Sequence, residues 1–200
     1  MKIFYMVMVS LVLIFLVSIC YFAWNKRRQK RVLEKIAFVD NVTGGNTYNK
    51  FLVDVQETLS NKINKQFYIL SFDVDNFKSY NDTYGHNNGD LCLKHFAKAI
   101  QECFPEGSIL GRYGGDEFMA VIYHTSQTEV EEILKCLCLE KDRLNNREDK
   151  MLIDYAYGWA LSANDGKYTI QTLLDKADSY MYENKKLCKR YKRISEVESF

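Results

Sequence analysis

Apolar residues along the chain follow two periods, and an unbroken apolar run precedes them. That run extends from Ile3 to Trp24, with no charged residue between Lys2 and Lys26. A helix of this length, at ~1.5 Å per residue, spans ~33 Å and can cross a hydrocarbon core of ~30 Å. We therefore predict that residues 1–25 form a transmembrane anchor. A cleaved signal peptide is the alternative, but the bulky sequence SICYFAW follows the run where small residues would mark a cleavage site.

The rest of the chain alternates between helical and strand-like patterns. Helical spacing predicts helices in NTYNKFLVDVQETLSNKIN, GDLCLKHFAKAIQECF, EVEEILKCLCLEKDRL and TIQTLLDKADSYMYENKKL. Runs rich in β-branched and aromatic residues predict strands in QFYILSFDVD, SILGRY, EFMAVIYH and MLIDYAYGWALS. The pair Gly114 and Gly115 suits a two-residue hairpin turn with positive φ. The order αβααββαβα indicates an α+β fold, with an antiparallel-rich central sheet flanked by helices.

A basic cluster lies next to the apolar run. By the positive-inside rule, the part of the chain that follows the cluster is expected on the cytoplasmic side of the inner membrane, where the cluster can also attract anionic lipid. The cluster consists of Lys26, Arg27, Arg28, Lys30 and Arg31.

The pattern also suggests limits for each part of the chain. Val32, Ile36 and Val39 recur at helical spacing, so we predict that a juxtamembrane helix over residues 26–38 continues the anchor. One domain over residues 39–195 and a tail over residues 196–200 complete the chain.

The composition is typical of a globular domain and gives no indication of a nucleic-acid partner. The chain is 47% hydrophobic and 26% charged, with a net charge of +1. On the expected cytoplasmic side its six cysteines should stay reduced. Cys136 and Cys138 form a C-x-C pair without a second pair or a nearby histidine, so we interpret them as thiols and not as zinc ligands.

Two predicted strand ends are acidic. Asp73 and Asp75 end the first strand, and Asp116 and Glu117 lie at the hairpin tip. If these ends converge, their carboxylates repel one another unless a hard cation such as Mg²⁺ or Mn²⁺ neutralises them. A site for phosphoryl transfer follows as a hypothesis. The alternative is that both acidic ends are merely solvated loops.

The segment between the two acidic ends carries groups suited to a nucleotide. Asn81 and Asp90 have the paired donors and acceptors that could bind the Watson–Crick edge of guanine. The backbone amides of Asn76–Lys78 open a helix, where an anionic phosphate is favoured.

These segments together resemble a known family. The sequence DVDNFKSYNDTYGHNNGD followed by RYGGDEF is similar to the GGDEF family of diguanylate cyclases, which condense two GTP molecules into cyclic di-GMP. The resemblance covers residues 37–195, including DNVTGGNTYNKF near the start and ADSYMYENKK near the end. It implies a palm-like fold of the nucleotidyl-cyclase type with a ferredoxin-like core.

The resemblance implies a role for each matching residue. Asp73, Asp116 and the Val74 carbonyl would bind metal, with Mg²⁺ or Mn²⁺ as cofactor and two ions per site. Glu117 would be a further metal contact or the base for the ribose 3′-hydroxyl. The remaining roles are guanine binding by Asn81 and Asp90, phosphate binding by Asn76, Phe77, Lys78, Lys185 and Lys189, and close approach of the backbone to the nucleotide at Gly114 and Gly115.

Some of these positions have a structural alternative. Asp75 is expected to cap the following helix. His86 is expected to be a structural hydrogen-bonding residue rather than a general base. Lys185 and Lys189 lie on a basic helix face that could simply be solvated.

The sequence departs from the family pattern in three places. Many relatives carry an inhibitory R-x-x-D before the glycine pair, whereas this chain has Pro105 and Ser108 at the two ends of that window, so we predict no inhibitory site. Thr47 and Tyr48 replace the usual Asn–Arg pair. The sequence LCKRY replaces the usual Gly-Arg-Asn and makes the role of Lys189 less secure.

The family chemistry implies two partners, GTP and a second copy of the chain. One domain holds one GTP, so a homodimer is needed for catalysis. The competing hypothesis is an inactive domain that binds GTP or cyclic di-GMP as a receptor.

Overall fold

The computed structural model describes residues 1–61, 66–123, 125–146, 153–162 and 169–198. It describes the backbone alone at residues 4, 7, 9, 10, 12, 60, 61 and 188–198. The chain divides into two compact units, Met1–Val39 and Asp40–Phe200. The first unit is almost entirely one helix, α1 (Lys2–Phe38), of 37 residues.

The predicted membrane anchor is contradicted. Over the described part of the chain, no helix combines the length and the apolar character that a membrane crossing requires. The prediction depended on an unbroken apolar run from Ile3 to Trp24, and five side chains of that run lie outside the description. The predicted inner-membrane location and the predicted contact with the membrane depended on the same apolar run, so the structure does not support them either.

The second unit contains the other nine elements of the described chain. In chain order they are α2 (Tyr48–Asn61), β1 (Phe67–Val74), α3 (Phe77–Tyr84), α4 (His86–Cys103), β2 (Ile109–Gly114), β3 (Glu117–Tyr123), α5 (Gln127–Asn145), β4 (Tyr155–Leu161) and α6 (Ile170–Glu198). The ends predicted for three of these elements fall on residues 62–64, 124 and 151–152, which lie outside the described residues, as do residues 199–200 of the predicted tail.

The four strands form one antiparallel sheet in the order β2-β3-β1-β4. The predicted α+β fold with an antiparallel sheet is therefore confirmed. Strand β1 is buried along its whole length because helices cover both faces of the sheet. Its alternate residues Tyr68, Leu70 and Phe72 pack with α4 and α5. Phe67 and Ile69 face the other way and pack with α2 and α6.

The hairpin turn lies one residue later than predicted. Gly114 still belongs to β2 and pairs with Glu117, so the two-residue turn consists of Gly115 and Asp116. Only Gly115 of the glycine pair has a positive φ, of 43°. A register shift between Arg112 and Gly114 absorbs one residue of β2, and this bulge moves the turn.

A disulfide bond corrects the expectation that all six cysteines are reduced. Cys103 at the end of α4 is bonded to Cys136 of α5. The two helices lie side by side on one face of the sheet, which brings the Cα atoms of the two cysteines to 5.7 Å. Cys20, Cys92 and Cys138 are free thiols.

The close packing of α6 on β4 depends on Gly158. A Cβ atom at this position would lie 2.2 Å from the Met181 nitrogen and 2.3 Å from the Ala177 oxygen, both on the backbone of α6. We expect Gly158→Ala to lower the free energy of unfolding by about 3 kcal/mol, because a helix backbone cannot move aside as a side chain can. Urea unfolding followed by circular dichroism measures the change.

Gly45→Ala is the matched control for this prediction. A Cβ at Gly45 would meet only Thr43 Oγ1, at 3.5 Å. The control should stay within about 0.5 kcal/mol of the parent protein. Equal unfolding midpoints for the two variants would show that α6 can shift away from β4.

Candidate active site

The two acidic strand ends meet at one end of the sheet. Asp73 near the end of β1 lies directly opposite Glu117, the first residue of β3. The Val74 amide donates a hydrogen bond of 3.1 Å to the Asp116 carbonyl oxygen. Asp73 is only 9% exposed. The fold thus brings together three carboxylates that the sequence places on two separate segments.

Successive side chains of a strand point to opposite faces of the sheet, so the position of Asp73 in β1 decides which helix it faces. Asp73 shares its face of β1 with Ser71, whose hydroxyl contacts the Met181 sulfur of α6 at 3.5 Å. Lys185 follows Met181 by one helical turn, and its Nζ donates a hydrogen bond to Asp73 Oδ1. The same Nζ lies 3.8 Å from Asp75 Oδ1. Helix α6 therefore supplies a cation to the acidic site.

Several carboxylates lie close together in the site, and their negative charges shift the pKa of neighbouring groups. Burial, followed by the charge of Asp73, raises the pKa of both Asp116 and Glu117. Burial alone would lower the pKa of Lys185, but the hydrogen bond and charge of Asp73, with the charges of Asp75 and Asp116, raise it overall. The site therefore favours an additional positive charge next to the carboxylates.

Arg112 links the hairpin tip to the turn that begins the second unit. Its Nη1 donates to both carboxylate oxygens of Asp40, at 2.9 and 3.1 Å. Its Nε and Nη2 donate to the Gly115 carbonyl oxygen, at 3.1 and 2.6 Å. The Arg112 and Asp40 side chains are only 12% and 19% exposed. Arg112 thus holds the carbonyl just before Asp116 in a defined place.

Asn81 lies against Gly89 of the next helix. A Cβ on Gly89 would fall 1.8 Å from Asn81 Oδ1 and 3.2 Å from the Phe77 ring. Only glycine therefore leaves room for the Asn81 side chain here. Among the residues that the structure describes, none is a hydrogen-bond partner of the buried Asn81 Oδ1, so this oxygen is available to a ligand donor. Asp90 is the residue after Gly89 and is partly exposed.

The predicted phosphate residues are distributed unevenly. Asn76 lies between β1 and α3 and has a left-handed backbone with a φ of 56°, and Phe77 is the first residue of α3. Lys78 is exposed on α3. Lys185 lies at the carboxylates, whereas the Lys189 side chain lies outside the described residues.

The structure changes the expectation for Asp75. Asn76, and not Asp75, is the residue at the N-cap of α3, and within the described part of the chain its side chain makes no capping hydrogen bond. Asp75 lies 8% exposed beside Lys185, and its amide donates to the Asp154 carbonyl oxygen at 2.8 Å. Helix capping by Asp75 is therefore wrong.

The donor set fits a divalent cation. Among the described residues, no three His, Cys, Asp or Glu side chains form a group that could hold a metal by themselves. Mg²⁺ needs no such group, because one or two carboxylates usually hold it together with water and substrate phosphate. Asp73 and Asp116 supply two carboxylates, and their repulsion is a physical reason for a cation to bind there.

The sequence alone does not identify Asp40 or Gly89 as residues of the site, and it does not show which acidic residue Arg112 pairs with. Asp40 and Arg112 are 72 residues apart, and only the fold shows that they pair. Gly89 was passed over although it directly precedes Asp90 in GHNNGD, and a glycine inside a helical pattern is a signal of close packing.

Fold and site together define a class of protein. An antiparallel α+β domain carries acidic strand ends, a lysine from the last helix of the described chain, and a buried amide oxygen next to a glycine. The chain belongs to the GGDEF family, because the family profile described as "Diguanylate cyclase, GGDEF domain" matches residues 37–190.

Curated proteins with similar sequences include members of different activity. The cyclic di-GMP phosphodiesterase PdeR of Escherichia coli (strain K12) is 31% identical over 80% of this chain and 24% of its own length. Diguanylate cyclase A of Treponema denticola is 30% identical over 58% of this chain and 32% of its own length. The chain thus spans about a quarter to a third of these relatives.

Solved structures share the fold. The coiled coil and GGDEF domain of DgcB from Caulobacter crescentus, solved in complex with c-di-GMP, gives a TM-score of 0.75 at 20% identity, over 86% of this chain and 92% of that one. The GGDEF domain of TpbB from Pseudomonas aeruginosa gives 0.67 at 27% identity, over 74% of this chain and 89% of that one.

Proposed function

We propose that the domain is a diguanylate cyclase that joins two GTP molecules into cyclic di-GMP and releases two pyrophosphates. The observation that carries this proposal is the convergence of Asp73, Asp116 and Glu117 beside Lys185. Such a site can hold the metal–triphosphate part of a nucleotide. Family membership adds support, since relatives of this chain include curated diguanylate cyclases.

The carboxylates and the lysine would have different roles in the reaction. GGDEF diguanylate cyclases generally depend on a divalent metal. Asp73, Asp116 and the Val74 carbonyl would hold Mg²⁺ or Mn²⁺, which when bound neutralises charge on the phosphates. Glu117, with its raised pKa, would contact the metal or accept the proton of the attacking 3′-hydroxyl. Lys185 would leave Asp73 for the phosphates of GTP.

Asn81 and Asp90 would bind guanine in the space between α3 and α4. The unpartnered Asn81 Oδ1 would accept a hydrogen bond from the base, and the Asp90 carboxylate would accept from its N–H groups. Asn76, Phe77 and Lys78 at the start of α3 would contact the phosphates.

Gly89→Ala tests the guanine site. The added methyl group must displace the Asn81 side chain, so we expect GTP affinity to fall roughly 10- to 100-fold, which is the loss of one or two hydrogen bonds. Isothermal titration with GTP measures it. Asn87→Ala, at an exposed position of the same helical turn, is the control and should bind GTP normally. Unchanged GTP affinity in Gly89→Ala would remove Asn81 from the guanine site.

The reaction needs two domains, each with one GTP, facing each other. We propose that α1 brings two copies together, because Val32, Leu33 and Ile36 on this helix are 52%, 66% and 69% exposed. No product-inhibition site is proposed, since Pro105 and Ser108 replace the charged residues of the family's inhibitory motif.

A forced dimer tests the cyclase proposal. The full chain is fused at its N-terminus to a parallel two-stranded coiled coil, with a monomeric helix of equal length as the control fusion. Each is incubated with GTP and Mg²⁺, and cyclic di-GMP and pyrophosphate are separated by chromatography. We expect both products from the coiled-coil fusion. If that fusion binds GTP and makes no product, the domain is a nucleotide receptor and not a cyclase.

A further inference from the structure

A pair of cysteines outside the nucleotide site bridges two helices. Cys103 is the last residue of α4, and Cys136 lies in the middle of α5, 33 residues later in the chain. We propose that this pair is a redox-modification site, oxidised and reduced reversibly by small thiols and disulfides, and that its state sets how firmly α4 is held in the domain.

The surroundings of the cysteines favour reaction at this pair. Cys103 and Cys136 are both partly exposed, so a small thiol or disulfide can reach them. Cys92 on the same helix α4 is 1% exposed, and burial raises the pKa of its thiol to about 11, which keeps it protonated and unreactive. Cys138 is exposed but two residues away from Cys136, which points its side chain to another side of α5.

The oxidation step is a thiol–disulfide exchange with a low-molecular-weight disulfide such as oxidised glutathione. One cysteine thiolate attacks a sulfur of the small disulfide, forms a mixed disulfide and releases one small thiol. The second cysteine thiolate then attacks the protein sulfur of the mixed disulfide and releases the other small thiol. The protein loses two electrons and two protons, and the small disulfide gains them. A small thiol in excess reverses both exchanges.

The disulfide lies at the end of α4, so its oxidation or reduction should change how firmly that end of the helix is held. Cys103 immediately precedes the connection over residues 104–108 that leads into β2, so the bond ties the end of α4 and the start of that connection to α5. Closing this part of the chain restricts the unfolded state, and a loop of this length corresponds to a rise in Tm of about 10 °C for a domain of this size. The reduced protein should therefore open α4 more readily.

The experiment uses the full chain, treated either with oxidised glutathione or with a phosphine reductant. Peptide mass spectrometry without reduction should find Cys103 linked to Cys136 after oxidation, and free thiols after reduction. The oxidised form should melt about 10 °C higher. Hydrogen exchange should become faster at the end of α4 on reduction and stay unchanged in β1.

Three serine variants separate this site from the other thiols. Cys136→Ser should melt like the reduced parent under both treatments, and Cys103→Ser should do the same. Cys138→Ser, on the same helix, should keep the full redox-dependent shift. The proposal fails if no linked peptide forms, if the bond persists in the folded protein under the reductant, or if the shift survives in Cys136→Ser.

Discussion

Replacing Asp73 by asparagine should reduce cyclase activity of the dimeric protein by about 10³-fold or more, with little change in stability. Asparagine has the same size and can still accept the hydrogen bond from Lys185 through its amide oxygen. It removes the negative charge that would hold the metal, so the developing charge on the phosphoryl group is no longer balanced. Initial rates of pyrophosphate release at saturating Mg²⁺ measure the loss.

Asp82→Asn is the matched control, because Asp82 is an exposed carboxylate on α3, the helix that follows β1 in the chain. Its rate should equal that of the parent protein. Asp73 also contributes, after burial, to the raised pKa of Asp116 and Glu117. The pKa of both should therefore move down in Asp73→Asn, as carboxyl chemical shifts would show. A variant that keeps at least a tenth of the parent rate would contradict a metal role for Asp73.

Arg112→Lys should lower both stability and activity although it preserves the charge. An ammonium group cannot reach the Asp40 carboxylate and the Gly115 carbonyl together, as the guanidinium does. We expect a loss of about 2–3 kcal/mol in unfolding free energy, because Asp40 and Gly115 are left poorly bonded in a partly buried place. The hairpin tip would shift, and a displacement of ~1 Å at Asp116 is enough for roughly a 10²-fold loss of rate.

An arginine on the surface provides the comparison for this prediction. Arg143 pairs with Glu140 on α5, where its side chain is 64% exposed, so Arg143→Lys should change stability by less than about 0.5 kcal/mol. A double-mutant cycle of Arg112→Lys with Asp40→Asn should show strong coupling between the two positions. Additive effects would mean that the pair does not hold the hairpin.

The same pair predicts a pH dependence of stability. Burial would raise the pKa of Asp40, but hydrogen bonds from Thr43 and Arg112 together with the Arg112 charge lower it below its ordinary value of 3.8. A lowered pKa in the folded state stabilises the protein above the ordinary value, and this contribution is lost as pH falls through the lowered pKa. Arg112→Lys should therefore lose less stability on acidification than the parent protein.

The helices and strands of the domain could be predicted from the sequence because their signals are local. Helices α2, α4, α5 and α6 each show one apolar stripe and the strands show runs of β-branched and aromatic residues, so the type of these elements does not require knowledge of distant neighbours. The hairpin turn was placed one residue early, because the bulge after Arg112 depends on the pairing of β2 with β3. Residues 2–38 do form a helix, α1, but the structure contradicts its predicted role as a membrane anchor.

Contacts between distant residues required the tertiary structure. Arg112 and Asp40, Lys185 and Asp73, and Cys103 and Cys136 are each far apart in sequence, and no local pattern marks any of these pairs. The contact that Asp75 makes also could not be predicted from the local sequence. An acidic residue before a helix is normally a cap, yet here the left-handed turn at Asn76 places Asp75 beside Lys185 instead.

The sequence by itself determined that acidic residues border two of the strands, that a glycine between β2 and β3 allows a tight turn, and that the segment between the acidic residues carries polar groups suited to a nucleotide. These properties reside in residue type and short spacing. Only the tertiary structure decided that Asp73 faces α6 and not α4. It also decided that Arg112 donates hydrogen bonds both to Asp40 and to the Gly115 carbonyl oxygen of the hairpin tip. The physical reason is that register and side-chain direction are settled by packing both faces of the sheet at once.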